Sequence, residues 1–183
     1  MVNNMKKYRI LVVILILGLA ISISTYVKAV EISTREELIQ FSEDVNSGNS
    51  FEGETIYLKN DIDLNGSEEN QWIPIGSRNK PFKGTFEGNG HIVRGIYINK
   101  DMDSYENSGF FGYNEGKIQN IGTYGEITGG TDLAGICSEN SGEIYQCYSN
   151  VKLTGESINV GGIVAWNRYG RYIWKNRIML FYR

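Results

Sequence analysis

Short apolar runs, broken at regular intervals by glycine and asparagine, fill the chain from residue 51 onward, and from Gly109 they repeat. Gly109-Phe110-Phe111-Gly112-Tyr113-Asn114-Glu115-Gly116-Lys117-Ile118 is answered by Gly135-Ile136-Cys137-Ser138-Glu139-Asn140-Ser141-Gly142-Glu143-Ile144. A third copy opens with Gly162-Ile163-Val164-Ala165-Trp166-Asn167 and reaches Gly170. Gly109 to Gly135, Asn114 to Asn140 and Ile118 to Ile144 are each 26 residues apart, while Asn140 to Asn167 is 27, a slip that a loop absorbs. A fixed period built from such short runs predicts a solenoid with one repeat per coil. The runs Phe110-Phe111, Ile118 to Ile121 and Glu126 to Thr128 predict three strands per coil. Coils would stack about 4.8 Å apart through backbone hydrogen bonds. Stacking places like on like: Asn114, Asn140 and Asn167 form an amide ladder. Lys117 over Glu143 and Glu126 over Lys152 pair opposite charges. The expected fold is all-β, a right-handed parallel β-helix of about 26 residues per coil.

The period changes once, near the start. Over residues 33–47, Leu38, Phe41 and Val45 fall on one helical face, behind Ser33 and Thr34 as caps and Glu36 and Glu37 for a capping box; Gly48 stops the helix. An amphipathic helix ahead of a solenoid is expected to cap its open end. Thr55-Ile56-Tyr57-Leu58, Ile62-Asp63-Leu64, Trp72 to Gly76, Phe82 to Phe86 and Ile92 to Ile98 are expected strands of irregular first coils, with a turn at Glu87-Gly88-Asn89-Gly90.

Residues 1–29 have the makings of a secretory signal: Lys6, Lys7 and Arg9 precede the apolar stretch Ile10 to Ile23, and Val27-Lys28-Ala29 offers a cleavage site. An uncut membrane anchor is the competing arrangement, because Ile10 to Val27 just reaches bilayer length. Four of the 18 Lys and Arg precede residue 30, leaving 14 against 21 Asp and Glu. That acidity disfavours nucleic acid as a partner. The charge reverses at the end: residues 168–183 hold five Arg and Lys and no acid, and the repeat fails at Arg171. The tail is expected to be either a basic cap or a frame-shifted or truncated end. The expected organisation is thus a signal peptide (1–29), a capping helix (30–50), irregular coils (51–108), repeat coils (109–170) and an atypical tail (171–183).

Candidate chemistry is sparse. Cys137 and Cys147 fall in columns otherwise held by Phe111, Val164 and Ile121, which favours buried free thiols over the disulfide an exported pair allows. Asp61-Ile62-Asp63-Leu64-Asn65-Gly66 opens like a calcium loop, but Trp72 stands where the closing Glu belongs; an alternating strand ending in an Asn-Gly turn is expected instead. His91 is the single histidine, so a two-histidine zinc motif is excluded, and an exposed turn residue is expected. Tyr113, Glu139 and Trp166 share one column, expected to face outward as a solvated surface or a sugar-stacking strip. No catalytic, cofactor-binding or metal-ligating residue is expected.

Gly109-Phe110-Phe111-Gly112 resembles the signature of the GLUG repeat, and Trp72 to Gly76 with Pro81 to His91 resembles the segment leading into it. The resemblance spans about residues 31–170, although Ser138 and Ala165 replace the closing glycine in the later copies. GLUG repeats occur in secreted and surface-attached bacterial proteins, including non-catalytic regions of IgA1-protease-type metallopeptidases. The resemblance implies a non-catalytic region for display, spacing or adhesion, secreted or at the cell surface. The expected partner is an unidentified surface ligand, a glycan or a host or matrix protein among the candidates, and no stable membrane insertion is expected after signal cleavage. A polysaccharide-acting enzyme and a carbohydrate-binding module are the alternatives.

Overall fold

The computed structural model describes residues 29–101, 107–155 and 159–168, and the backbone of residues 171–173. Strand β1 (Ala29–Ile32) leads into helix α1 (Arg35–Ser47) and then into the winding: β2 (Thr55–Leu58), β3 (Ile62–Asp63), β4 (Thr85–Glu87) and β5 (Ile92–Asn99). The next coil is β6 (Asn107–Ser108), β7 (Phe111–Asn114), β8 (Lys117–Gln119) and β9 (Gly122–Thr128). It is repeated by β10 (Asp132–Ala134), β11 (Cys137–Asn140), β12 (Glu143–Tyr145) and β13 (Tyr148–Thr154), and then by β14 (Asn159–Gly161), β15 (Val164–Asn167) and β16 (Arg171–Ile173). Strands from successive coils pair in parallel, making a right-handed β-solenoid of about five turns behind one capping helix.

The register is the one the period predicts. Ile144 lies on Ile118, Ile118 on Phe86, and Phe86 on Ile56, all of them buried. Asn114 donates through Nδ2 to Asn140 Oδ1 at 2.7 Å, and Asn140 to Asn167 Oδ1 at 2.9 Å. Lys117 stacks on Glu143, and Lys152 pairs with Glu126 at 3.4 Å. Recurrent glycines have a plain cause. A Cβ on Gly142 would strike the carbonyl oxygen of Gly116, and a Cβ on Gly116 that of Gly84. The side chain is absent because the next coil's backbone occupies its place.

Three expectations change. The two coils β6–β9 and β10–β13 have four strands each rather than three, in sheets ordered β1-β2-β4-β8-β12-β16, β13-β9-β5-β3, β14-β10-β6 and β15-β11-β7. Neighbouring residues on one strand face opposite ways. Phe110 and Phe111 are nevertheless both fully buried, as are Ile136 and Cys137, so a corner must separate each doublet. Trp72 to Gly76 forms no strand; only Ile75 bridges to Phe111, while Trp72 stacks on Phe110 at 5.4 Å and donates through Nε1 to its carbonyl. The ladder also passes the compositional break, since Arg171, Tyr172 and Ile173 pair with Glu143, Ile144 and Tyr145. Residues 174–183 and the expected signal segment up to residue 28 lie outside the described residues.

Helix α1 follows its sequence cues. Thr34 Oγ1 accepts from the Glu37 amide and the Glu37 carboxylate accepts from the Thr34 amide, closing the capping box, while Gly48 ends the helix at φ 118°. Leu38, Phe41 and Val45 are buried; the Phe41 ring lies 5.1, 5.7 and 5.8 Å from those of Phe51, Phe82 and Phe86. The helix therefore seals the first coils' core. Strand β1, three of whose four residues fall in the segment expected to be the capping helix, runs parallel to β2 with Ala29 opposite Thr55.

Candidate functional site: a groove walled by Arg78

The last turn of α1 does a second job. Asn46 donates to the Pro74 carbonyl at 3.1 Å and accepts from the Gly76 amide at 2.9 Å. The Asn46 carbonyl accepts from Lys80 Nζ at 2.6 Å, and Ser42 Oγ donates to the Ile73 carbonyl at 3.0 Å. These bonds strap residues 73–80 across the solenoid face. At the crest, Ser77 and Lys80 exchange amide–carbonyl bonds at 3.0 Å, and the strap carries Arg78 over the column of Tyr113, Glu139 and Trp166.

That column is where expectation and structure part. The three residues are in register, as the period requires, but the column is not a solvated face. Glu139 is fully buried and Tyr113 only 8% exposed; Trp166, at 38%, keeps the solvent exposure expected of all three. Arg78 Nε donates to Glu139 Oε2 at 2.5 Å, and Arg168 Nε stands 2.9 Å from Oε1. Both guanidiniums also lie over the Trp166 ring, at 5.2 Å for Arg78 and 4.4 Å for Arg168. A buried carboxylate needs such partners, because desolvating an unpaired charge costs several kcal/mol, about 3–5 when one partner is removed. The repeat could not reveal this, since the decisive cation lies 61 residues upstream.

Between strap and coils runs a groove of about 980 Å³, lined among others by Arg78, Asn79, Lys100, Asn107, Asn159 and Trp166. Its floor is a second register column, Asn107–Asp132–Asn159, in which Asn159 Nδ2 donates to the buried Asp132 carboxylate at 2.7 Å. Asn107 is tied through its amide to the Gly112 carbonyl at 3.1 Å. The groove thus offers a guanidinium on the strap, an ammonium just past β5, and amide and indole groups on strands β6, β14 and β15.

The remaining candidates fall out as follows. Ile62 and Leu64 point inward and Asn65 turns at φ 48°, so the calcium-like segment is the alternating strand expected. Asp61 accepts from the Ile92 amide and meets His91 Nδ1 at 3.1 Å, and Asp63 pairs with Arg94 at 3.4 Å. The Ile92 amide, then His91, hold the Asp61 carboxyl below its usual range. His91 is half-buried against Asp61 rather than a free turn residue. Among the described residues no three His, Cys, Asp or Glu side chains gather as metal ligands. Cys137 and Cys147 are free thiols in the expected columns, Cys137 buried as expected and Cys147 only half-buried.

No family model, no curated protein and no solved structure matches the chain. The parallel β-solenoid accords with the general architecture of GLUG-type repeat proteins.

Proposed function

We propose that this chain is an exported, non-catalytic solenoid scaffold of the GLUG-repeat kind, serving display, spacing or adhesion at a bacterial cell surface. The observation that carries it is how the repeated residues are used. Asn114 and Asn140 clip coil to coil, Gly116 and Gly142 admit the neighbouring backbone, and Ile118 and Ile144 fill the core. The repeat builds a support. A basic n-region followed by the apolar stretch Ile10 to Ile23 favours export, and among the described residues no helix is long and apolar enough to cross a membrane. Fractionating cells that express the full chain tests the reading. Extracytoplasmic protein beginning at Val30 is expected; full-length protein held in the cytoplasm would overturn it.

A polysaccharide-acting enzyme is the competing role. It would use two carboxyl groups with access to one bond. Glu139 is clamped by two guanidiniums and Asp132 is buried beneath Asn159, an arrangement that favours binding over acid–base work.

A further inference from the structure

We infer that the groove behind Arg78 binds an acidic saccharide, with a carboxylate or sulfate ester on Arg78 and hydroxyls on the amide wall. The inference rests on the reading of this chain as an exported adhesion or display scaffold and gives that scaffold a ligand class. Three features of the site lead there.

The first is charge. Glu139 is one carboxylate facing two guanidiniums, so it does not neutralise both, and of the cluster it is Arg78 that lines the groove. Residues 30–167 as a whole carry 9 Lys and Arg against 21 Asp and Glu. A cationic spot on so acidic a body concentrates anions at one place.

The second is preorganisation. Arg78 is held through Nε by a wholly buried acid and rests over Trp166, yet its side chain remains 53% exposed. A guanidinium fixed at one edge can present its other N–H groups to an oxyanion with little loss of side-chain freedom. The strap's attachment to Asn46 fixes the backbone beneath it.

The third is the wall. Asn79, Asn107, Asn159 and Ser77 line the same groove with donors and acceptors, and Trp166 adds an apolar surface. Amides beside an indole suit the mixed polar and apolar faces of a sugar ring. The volume lies at the upper end of the roughly 300–1,000 Å³ usual for small-ligand sites, enough for a chain rather than a single ion.

Calorimetry on the purified full chain tests this with three saccharide probes: oligogalacturonate, a sulfated oligosaccharide and a neutral hexose oligomer. The expected result is binding of one or both acidic probes at least tenfold tighter than the neutral one, weakening as salt rises. Preference between the acidic probes identifies the anionic group. R78A is expected to raise Kd at least tenfold with unchanged circular dichroism, because Arg168 still faces Glu139; R78K should recover part of the loss. Should R78A misfold, N79E on the exposed strap places a negative charge beside Arg78 and is expected to weaken binding at least fivefold. Equal binding of the neutral probe, no binding of either acidic probe, or indifference to both R78A and N79E overturns the inference. Equally tight binding of poly-glutamate overturns the saccharide assignment. None of these results bears on localisation, so failure here leaves the export experiment to stand or fall separately.

Discussion

At the scale of single residues, position in the stack decides what a side chain is worth. Asn140 is fully buried, donates to Asn167 and Gly142, and accepts from Asn114 and the Gly142 amide. Replacing it with Leu orphans several of those groups, at about 1–3 kcal/mol each for a buried polar atom left unpaired. We expect Asn140→Leu to cost at least about 2 kcal/mol in urea unfolding; a change within 0.5 kcal/mol would disprove the ladder's role. The thiols give a pH dependence. Burial pushes Cys147 up to about 12 from an ordinary 9.0, and raises Cys137 as well. Below pH 9 folded and unfolded chains both hold these protons, so the stabilisation is fully present. Between pH 9 and about 12 only the unfolded thiols ionise, and stability should fall as pH rises. Native protein at pH 8 should react slowly with Ellman's reagent and release two thiols after denaturation; immediate reaction of both would contradict the burial. The Asn, Gly and Ile columns were legible because their partners lie one period away. The burial of Glu139 was not, since nothing in its own repeat announces Arg78.

At the scale of elements, helix α1 was readable from its caps and its apolar face, which are local signals. Thr34→Ala breaks one half of the capping box and should cost about 1 kcal/mol; unchanged unfolding would show that packing alone holds the helix start. Phe41→Ala should cost about 3–5 kcal/mol, because the ring fills space between Phe51, Phe82 and Phe86. The strands were harder. Their number per coil was hidden in the doublets Phe110-Phe111 and Ile136-Cys137, read as continuous runs though one strand cannot bury both members. Ile75 and Trp72 drew the prediction of a strand by being apolar, whereas the backbone there serves as the strap's anchor and pairs only in passing.

For the whole molecule, the test of the winding is arithmetic. Removing residues 115–140 joins Asn114 to Ser141 and lets β12 take the place of β8 on β4, Ile144 replacing Ile118 over Phe86. This loss of 26 residues should leave a cooperatively folding β protein, although Glu139 goes with it. Removing 115–134 instead breaks the register and should leave aggregated or unfolded chain. Equal behaviour of the two deletions in circular dichroism and size-exclusion chromatography would refute the stacking. The period made this architecture visible from sequence, since a repeated backbone bond leaves a repeated residue.

Stacked coils ordinarily feel only their neighbours, so an array of them can melt stepwise from either end. The strap breaks that rule. It is tied to α1 at Asn46 and to the fourth turn at Glu139, two points the winding holds apart. Fraying of the helix would release Arg78 and leave Glu139 with half its counter-charge, so the first turn cannot loosen without disturbing the fourth. The chain is laced as well as stacked, and hydrogen exchange should find both ends of the lace opening as one unit.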